Sequence, residues 1–507
     1  MKRIRIGSLG PARMPALVMA LAALAIAGCG DENPFGPDSG YGLVYLEAPP
    51  RAAERTLLPP VVVAIRDVEG NTALWAEIPV TIALAANPGG ATLSGTLTVD
   101  AVGGIAIFDD LAIDRPGSGY SFAVTAGELP AAESAPFDVA FVSALAVGYL
   151  HACVVRAGGT AYCWGYNGYG QLGDGTTATR TAPVPVSGDL AFSSVAPGAL
   201  HTCGLTPVGE AYCWGLNNFG QVGDSTTTYR NAPVPVVGGR AFSSIGAGID
   251  HSCAVEASTA DAYCWGRSEY GQRGDGTAST MTFPVLTFGS SLLGFERVSA
   301  GGRHTCGIAQ DGAAVCWGRN NQGQLGDGTT TTRWVPTAVS GGLSFAYLAV
   351  NNNDLAWETS CGVTPDGDAY CWGLNNYGQL GRGTTGAQFD EPEKVFGGLR
   401  FTSVSPGTSH TCGVTTDGDA YCWGSNNRGQ LGNGVAGATE GTNTPTLVTG
   451  GHVFRYVGAG RDFSCGLTES GDVYCWGYNG NGQLGDGTTT DRSEPVLVLG
   501  LPVGIGG

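Results

Sequence analysis

Residues 401–434, FTSVSPGTSHTCGVTTDGDAYCWGSNNRGQLGNG, hold one copy of the pattern that decides the fold, and the chain carries seven copies. Each copy has two cysteines ten positions apart, or eleven in one copy, and Trp-Gly follows the second cysteine. The second cysteine returns every 50–55 residues. Such a period indicates a repeat architecture built from one supersecondary unit. The pairs are Cys153 with Cys163, Cys203 with Cys213, Cys253 with Cys264, Cys306 with Cys316, Cys361 with Cys371, Cys412 with Cys422, and Cys465 with Cys475.

Four short runs in this copy have strand character, and Asp417-Gly418 between the second and the third is a hairpin signal. The runs are Phe401–Val404, His410–Thr415, Ala420–Gly424 and Thr444–Val448. Four strands in a unit of this length are typical of a propeller blade. The sequence therefore predicts an all-β fold in which residues 143–507 form one closed seven-bladed β-propeller, because closure removes exposed sheet edges.

The hairpin explains the spacing of the cysteines. Side chains alternate along a strand, so His410, Cys412 and Val414 share one face. A three-residue loop centred on Asp417 places Cys412 directly opposite Cys422, at a Cβ separation near the range of a disulfide. We therefore predict one cross-strand disulfide in each blade, which an exported protein can form.

Metal binding by His-x-Cys and the second cysteine is the alternative interpretation. Thr359 and Phe463 replace the histidine in two copies, and seven identical metal sites are not expected in an oxidising compartment. The histidines are His151, His201, His251, His304 and His410. We predict that they are hydrogen-bond partners within the scaffold, and that the chain uses no metal and no cofactor.

Composition and charge exclude several classes of partner. Hydrophobic residues make up 43% of the 507 residues, with 84 Gly and only 13% charged residues, which indicates a β-rich protein with buried cores. The formal net charge is −18, and the only lysines are Lys2 and Lys394. The chain therefore lacks the basic patch with which proteins bind nucleic acid or an anionic membrane surface.

The first residues have the character of an export signal. A basic start precedes an apolar run over residues 14–28, which is too short to span a bilayer and suits a signal-peptide core. The run ends in Ile-Ala-Gly-Cys29, which resembles the lipobox of bacterial lipoproteins, in which the cysteine is diacylated. An ordinary signal peptide followed by a chance cysteine is the alternative.

This resemblance implies a signal peptide over residues 1–28 and a lipid on Cys29. Residues 29–40 are polar and rich in Gly and Pro, as expected of a flexible tether. Gly30 takes the place of the aspartate that retains some lipoproteins at the inner membrane. We therefore expect a lipoprotein of the cell envelope, at the outer membrane or cell surface, that touches the membrane only through its anchor.

Residues 41–142 differ from the repeats and contain no cysteine. Their strand-like runs have the spacing of a β-sandwich. The runs are Val61–Ile65, Ile78–Ile82, Gly104–Phe108 and Tyr120–Val124. The stretch from Ile107 to Tyr120, IFDDLAIDRPGSGY, resembles invasin-type bacterial immunoglobulin-like domains, which implies an immunoglobulin-like β-sandwich that acts as a spacer.

The repeats themselves resemble a known family. GQLGDG at residues 170–175 and 482–487, with the upstream Gly-x-x-His and Trp-Gly, is similar to the repeats of the regulator of chromosome condensation family. The resemblance implies a seven-bladed propeller and protein recognition as the shared property, but not one activity. Its best-known eukaryotic member is a chromatin-bound nucleotide-exchange factor, a role that does not suit an acidic, exported chain. The seven repeated tryptophans are better explained by core packing than as a photoreceptor cluster.

No catalytic motif stands out, so we predict that the protein is not an enzyme. The sequence lacks a G-x-S-x-G elbow, a Walker loop and an H-E-x-x-H helix. The repeated loops carry Asp174, Asp224, Asp275, Asp327 and Asp486, which either attract cations or satisfy their own backbone. Nothing marks out one carboxylate pair for glycoside chemistry.

Departures from the repeat are a better guide to function, because a scaffold repeats and a site does not. The fifth copy contains an insertion over residues 351–358 that includes Trp357, and the fourth has Trp334 after Arg333. The sixth copy has a longer loop at residues 436–443. Because tryptophan is a favoured interface anchor, we expect Trp334 and Trp357 to mark a partner-binding face, with local packing as the alternative.

Together these features predict a monomeric, exported, lipid-anchored recognition scaffold. Its propeller loop face would bind a protein or another cell-surface ligand. A structural surface-layer protein and a propeller-based carbohydrate-active enzyme are the alternatives.

Overall fold

The structure is a computed structural model of the 507-residue chain. It describes residues 39–48, 52–53, 58, 60–88, 90–113, 117–139, 142–156, 158–352, 357–386, 388–468 and 471–501. The predicted signal peptide, Cys29 and all but the last two residues of the predicted tether lie outside the described residues.

Residues 42–139 form β-sheets around a hydrophobic core of their own. The strands are β1 (Gly42–Glu47), β2 (Ala52–Ala53), β3 (Val61–Arg66), β4 (Pro79–Ala86), β5 (Leu93–Ser94), β6 (Thr98–Asp100), β7 (Ile105–Phe108), β8 (Ala112–Ile113), β9 (Gly117–Thr125), β10 (Ala132–Glu133) and β11 (Phe137–Val139). One sheet has the order β1-β3-β7, and a larger one has the order β2-β11-β9-β4-β6, with β10 beside β9. Strands β5 and β8 form a separate pair.

The burial of this unit follows from its sequence pattern. In β4 buried and exposed residues alternate, and Val80 and Ile82 point into the core while their neighbours Pro79, Thr81 and Ala83 are exposed. The four predicted runs correspond to β3, β4, β7 and β9. The immunoglobulin-like identity of the unit stays a prediction.

The rest of the described chain forms seven four-stranded antiparallel sheets, each in sequential strand order. Blade one has β12 (Val142–Val147), β13 (His151–Arg156), β14 (Ala161–Gly165) and β15 (Arg180–Pro185); blade two β16 (Ser194–Pro197), β17 (His201–Leu205), β18 (Ala211–Gly215) and β19 (Arg230–Pro235); blade three β20 (Phe242–Ala247), β21 (His251–Glu256), β22 (Ala262–Gly266) and β23 (Met281–Leu286); blade four β24 (Phe295–Ala300), β25 (His304–Ala309), β26 (Ala314–Gly318) and β27 (Arg333–Ala338); blade five β28 (Tyr347–Val350), β29 (Thr359–Val363), β30 (Ala369–Leu374) and β31 (Gln388–Lys394); blade six β32 (Phe401–Pro406), β33 (His410–Thr415), β34 (Ala420–Gly424) and β35 (Thr442–Leu447); and blade seven β36 (Phe454–Ala459), β37 (Phe463–Thr468), β38 (Val473–Gly477) and β39 (Arg492–Leu497). A short helix, α1 (Ser290–Leu293), and a 3-10 turn (Ser340–Gly342) lie between blades. Within the described part of the chain, no helix is long and apolar enough to cross a membrane.

The blades form a closed ring. First strands of adjacent blades contact each other, and the fourth strands are the least buried, so the first strand of each blade lies innermost. Strand β12 of blade one contacts β36 and β37 of blade seven. Trp164 of blade one and Phe463 and Cys465 of blade seven share one buried cluster, which closes the ring without any exchange of strands.

Cysteines and tryptophans of a blade lie on opposite faces of its sheet. Cys412 pairs directly with Cys422 in the β33–β34 register, as the alternation predicts, and both pack against Trp476 of the next blade. The cystine face of one blade thus meets the tryptophan face of the following one.

The same cross-strand register brings the two cysteines of every blade together. In all seven predicted pairs the sulfur atoms lie at disulfide distance, 2.04–2.15 Å, which agrees with the predicted disulfide in each blade. All of these cysteines are fully buried, so none of them is available as a surface ligand for a metal. The pairs are Cys153 with Cys163, Cys203 with Cys213, Cys253 with Cys264, Cys306 with Cys316, Cys361 with Cys371, Cys412 with Cys422, and Cys465 with Cys475.

Each of the repeated tryptophans also fastens its blade to the preceding one. Trp214 Nε1 donates a hydrogen bond of 2.9 Å to the carbonyl oxygen of Gln171, and Trp164 makes the same 2.9 Å bond to Gln483 across the ring closure. All seven tryptophan side chains are fully buried. This contact requires the glycine of the Gln-x-Gly motif, because a Cβ on Gly173 would lie 2.7 Å from Nε1 of Trp214. These contacts support core packing as the reason for the repeated Cys-Trp-Gly.

Candidate ligand-binding face

Two kinds of connection meet at one end of every blade. In a sequential antiparallel sheet, the turn between strands one and two and the loop between strands three and four emerge at the same end. We call this end the long-loop face, because its outer loops are the longest connections of each blade. These loops cover residues 166–179, 216–229, 267–280, 319–332, 375–387, 425–441 and 478–491.

The repeated histidines lie beneath this face and link adjacent blades. His151 Nε2 is 2.8 Å from the Thr202 hydroxyl, which donates its own proton to the Gln171 carbonyl oxygen at 2.8 Å. The histidine nitrogen must therefore be the donor. The other pairs are His201–Ser252, His251–Thr305, His304–Ser360 and His410–Ser464, at 2.8–2.9 Å. These contacts are those expected of scaffold residues.

The histidines are held in the neutral form. All five are fully buried, and burial lowers the pKa of each imidazole to about 3. A group that stays neutral and enclosed throughout the physiological range is not a proton carrier for a reaction at the surface.

The two blades without this histidine carry matching changes. Phe463 of blade seven packs in one cluster with Ala152, which stands where other blades have the serine or threonine. The apolar pair replaces the hydrogen-bonded pair as a unit. In blade five, Thr359 donates to the carbonyl oxygen of Leu374 at 3.3 Å, and Thr411 of blade six still donates to Gln379.

The loop aspartates are paired within their own blade. Asp174 accepts hydrogen bonds from the backbone N–H and hydroxyl of Thr176, and its other oxygen lies 2.7 Å from Arg180. Burial alone would raise the pKa of Asp174, but the bonds from Thr176 and Arg180 outweigh it and lower the pKa below its ordinary value. The same pair recurs as Asp224–Arg230, Asp327–Arg333 and Asp486–Arg492. The charge that would attract a cation is thus already neutralised.

The remaining blades depart from this pair in three different ways. Blade three has Met281 in place of the arginine, and Arg273 of the same loop reaches Asp275 at 2.7 Å instead. Blade six has an uncharged pair, Asn433 and Thr442. In blade five, Arg382 stacks 4.0 Å above the Phe389 ring and pairs with a glutamate of the outer strand. Among the described residues, no group of three or more His, Cys, Asp or Glu side chains is arranged to hold a metal ion.

The turns at the inner rim are joined in a ring of hydrogen bonds. Backbone N–H groups make six of these bonds, and the side-chain amide of Asn351 makes the bond from blade five to blade six. The donors and acceptors are Tyr149–Gly198, Ala199–Gly248, Ile249–Gly301, Gly302–Asn351, Asn351–Gly407, Thr408–Gly460 and Arg461–Tyr149, at 2.9–3.2 Å. Asn351 stands where the other blades have glycine, and this substitution opens the blade-five insertion.

The start of the insertion, at Asn352, reaches the centre of the ring. Asn351 N donates to Thr359 O, which closes the turn as in other blades, although five more residues lie between. Asn352 extends over the central channel, and its amide lies 3.4 Å from the carbonyl oxygen of Pro197, on the opposite side of the ring. Together with Tyr149 and Thr408 it lines a polar cavity of about 40 Å³. Asn352 therefore lies at this end of the channel.

Glu358 fixes the far end of the insertion. Its carboxylate accepts hydrogen bonds from the backbone N–H of Arg303, at 2.7 Å, and from the side chain of Gln324. The side chain is fully buried, and burial raises the pKa of Glu358 to about 7 although Arg319 and Arg303 oppose the rise. The buried carboxylate of Glu358 is thus bonded to blade four. This attachment holds the preceding residue, Trp357, in place.

Trp357 lies against Tyr377 in the outer loop of the same blade. Their ring centroids are 5.5 Å apart, and Tyr377 is 39% exposed. Tyr377 forms one wall of an open groove whose other wall is the lengthened loop of blade six. Two departures from the repeat, in blades five and six, thus meet at one place on the long-loop face.

Trp334 lies elsewhere. It is 38% exposed at the start of β27 and packs on blade three, where a Cβ added to Gly271 would lie 3.0 Å from its ring. Other blades place a small polar residue such as Asn231 at this position. Trp334 does not line the groove beside Tyr377. The structure therefore brings Trp357, but not Trp334, to the convergence of the irregular loops.

Two family models describe these repeats. The model of the regulator of chromosome condensation (RCC1) repeat matches residues 158–205, 208–255, 311–349, 366–414, 417–467 and 470–504, which is more than half of the chain. The chain belongs to the RCC1-repeat family. A second RCC1-repeat model matches residues 142–171, 192–221, 242–272, 295–324, 401–430 and 454–483. Within the propeller, neither covers residues 273–294 or residues 350–365, and the second of these stretches contains the blade-five insertion.

Curated relatives share the repeats over part of their length. The ultraviolet-B receptor UVR8 of Arabidopsis thaliana is 30% identical over 247 residues, which are 48% of this chain and 55% of UVR8. The human E3 ubiquitin-protein ligase HERC2 is 30% identical over 254 residues, 48% of this chain but 5% of HERC2. This chain thus spans about half the length of UVR8 and a small fraction of HERC2.

Solved structures show the same fold. Prp20p of Saccharomyces cerevisiae, described with its binding to Gsp1p and histones, aligns with a TM-score of 0.60 and 22% identity over 71% of this chain and 88% of its own. Human WBSCR16 aligns with a TM-score of 0.57 and 23% identity over 64% of this chain and 87% of its own. Both likenesses concern the RCC1 propeller fold.

Sequence reasoning missed Tyr377 and Asn352. An aromatic residue precedes the Gly-Gln of the RCC1 repeat in four blades, so Tyr377 has the pattern of a repeated scaffold residue. Only the contact with Trp357 of the insertion distinguishes it from the aromatic residues of the other blades. A comparison of the copies around the insertion would have pointed to Asn352, which lies within it, but not to Tyr377.

Proposed function

We propose that this RCC1-repeat propeller is an exported, lipid-anchored recognition scaffold that binds a ligand through its long-loop face at blades five and six. The observation that carries the proposal is the meeting of the blade-five insertion and the lengthened blade-six loop at Tyr377. A site is expected where a repeat is broken, and exposed aromatic side chains are favoured anchors of binding. The protein acts by binding rather than by turnover.

In this proposal the remaining parts place the face outside the cell. Residues 1–28 direct export, Cys29 carries the lipid, residues 29–40 form the tether, and residues 41–142 are an immunoglobulin-like spacer. Seven cysteine pairs at disulfide distance suit an oxidising compartment. The protein is a monomer whose ligand is a protein or another component of the cell surface.

Binding of the fluorescently labelled full chain to isolated cell envelopes of the producing bacterium tests this function. We expect saturable binding that weakens roughly 30-fold in a Trp357→Ala/Tyr377→Ala variant, because loss of central aromatic anchors costs about 2 kcal/mol or more. Tyr229→Ala is the matched control, since Tyr229 is 49% exposed on the long-loop face of blade two.

Three outcomes decide the matter. Equal binding by the parent and the double variant would contradict the placement of the site, and an absence of saturable binding would contradict recognition itself. A Trp334→Ala variant tests whether the binding surface extends to blade four, as the sequence predicts. Weakened binding would show that Trp334 belongs to the binding surface. Unchanged binding would show that Trp334 serves only local packing.

A further inference from the structure

The groove beside Tyr377 is an open site of about 650 Å³ between the outer loops of blades five and six. Its size is that of a pocket for a small ligand or a few units of a polymer. The lining residues are Tyr377, Thr385, Ser425, Asn427, Ala438, Thr439, Gly441, Thr442, Asn443 and Thr444. The lining contains no charged side chain, although the chain as a whole is strongly acidic.

Much of the hydrogen-bonding capacity of this groove is unused. In the described part of the chain, six of its side chains have a polar group that makes no hydrogen bond to another residue. They are Tyr377, Thr385, Ser425, Asn427, Asn443 and Thr444. Asn231 holds the same strand position as Asn443, and there the amide donates to the carbonyl oxygen of Gly175 at 2.8 Å. The groove thus offers hydroxyl and amide groups that can both donate and accept.

Tyr377 differs from the equivalent aromatic residues of blades two and three, Phe219 and Tyr270, whereas Tyr169 of blade one also lies against aromatic rings, those of Tyr166 and Tyr229. Arg267 covers Phe219 at 4.6 Å, and Arg303 and Arg319 flank Tyr270 at 5.4–5.5 Å. Among the described residues, no guanidinium covers Tyr377, whose ring is instead backed by Trp357. The contact with Trp357 holds the phenol as one exposed aromatic wall of the groove.

We propose that this groove binds a neutral oligosaccharide, an inference that rests on the proposed recognition function and names its ligand. A sugar presents hydroxyl groups, which both donate and accept, and an apolar C–H face that packs on an aromatic ring. An anionic ligand finds no basic side chain in the lining, and Glu440 follows directly after Thr439. An extended peptide finds few apolar pockets, because Ala438 is the only aliphatic side chain of the lining.

Isothermal titration of the full chain, purified under oxidising conditions, tests the inference. The probes are cellohexaose, laminarihexaose, maltohexaose and xylohexaose, with hexagalacturonic acid as the charged counterpart. We expect saturable binding of at least one neutral probe and none of the acid. Tyr377→Ala should weaken this binding about tenfold or more, and Asn443→Ala about fivefold, in proportion to the contacts removed.

Tyr229→Ala serves again as the control and should bind the sugar as the parent does, with thermal unfolding measured for every variant. Binding of the acid alone, binding unaffected by Tyr377→Ala and Asn443→Ala, or no binding of any neutral probe would each overturn the inference. If sugars fail while envelope binding still depends on Tyr377, recognition stands and its ligand is a protein. If envelope binding also fails, the proposed function fails as well.

Discussion

The imidazole of His410 is enclosed between blades six and seven, where its Nε2 proton has one acceptor, the hydroxyl of Ser464. Burial disfavours a second proton and outweighs the opposing backbone contact with Phe463, which is why the pKa of His410 is lowered to about 3. Blade seven shows the apolar form of the same contact, Phe463 against Ala152. One inter-blade position thus accepts either a hydrogen-bonded pair or an apolar pair, provided that both members change.

These histidines make the stability of the propeller dependent on acid. In the folded state each pKa lies near 3, whereas an unfolded histidine titrates near 6.5. Below pH 6.5 these histidines therefore bind protons in the unfolded chain but stay unprotonated in the folded chain. Each buried neutral histidine therefore makes its full contribution to the free energy of unfolding above pH 6.5. This contribution is lost as the pH falls, and the loss is roughly 2 kcal/mol for each buried histidine at pH 5.

The variant His410→Phe/Ser464→Ala copies the blade-seven pair and removes one of these groups. Between pH 8 and pH 5 we expect the free energy of unfolding to fall by about 2 kcal/mol less in the double variant than in the parent. Urea unfolding at both pH values measures the difference. Ser464→Ala alone keeps the histidine and should retain the parental acid sensitivity. An equal loss in parent and double variant would contradict the buried, neutral state of His410.

At the scale of the element, the central hairpin of a blade, formed by its second and third strands, has two unlike faces. Strands β33 and β34 present Cys412 and Cys422 to blade seven, while Trp423 packs against blade five. A three-residue turn fixes this register, since Thr415 N bonds to the Asp419 carbonyl oxygen. The disulfide therefore closes a loop that the turn has already shaped.

Removal of one such bond should destabilise its blade measurably. For Cys412→Ala/Cys422→Ala we expect a loss of about 2–3 kcal/mol in the free energy of unfolding, from the entropy of the freed loop. Lost packing against Trp476 adds to this. Chemical denaturation under oxidising conditions measures the loss in the free energy of unfolding, and Thr416→Ala in the exposed turn is the control. A loss no larger than that of the control would show that the two sulfurs are not bonded.

Much of the blade could be predicted from the sequence, because its features are local and repeated. Strand alternation and turn length place Cys412 opposite Cys422, and recurrence assigns Trp423 to the core. The meeting of Trp357 with Tyr377 and the blade-six loop could not be predicted. It depends on how the ring positions segments some 80 residues apart, and no local pattern sets the path of a single insertion.

At the scale of the molecule, the propeller is one part of a chain whose start has the character of an export signal. If Cys29 carries a lipid, the propeller and the unit formed by residues 42–139 are held at a membrane although neither has a membrane-spanning helix among its described residues. The tether and the spacer then set the distance between the lipid and the long-loop face.

Cys29→Ser tests this arrangement in a bacterial host that processes lipoproteins. The parent should enter the detergent-rich phase on Triton X-114 partition, and the variant should stay in the aqueous phase, because two acyl chains bury far more CH₂ groups than a bare terminus. Mass spectrometry of the N-terminal peptide gives the lipid directly. Aqueous partition of both proteins would contradict the anchor, whereas export without lipid would fit an ordinary signal peptide.

Closure of the ring without an exchange of strands between blades has a consequence for the gene. Every blade comes from one continuous stretch of sequence, and each carries both halves of its interfaces, a cystine face and a tryptophan face. Duplication or deletion of one coding segment of 50–55 codons therefore adds or removes a complete blade and splits no sheet. Once a copy exists, its loops are free to diverge while the copied interfaces keep it in the ring, and blade five has the features of a copy that diverged in this way.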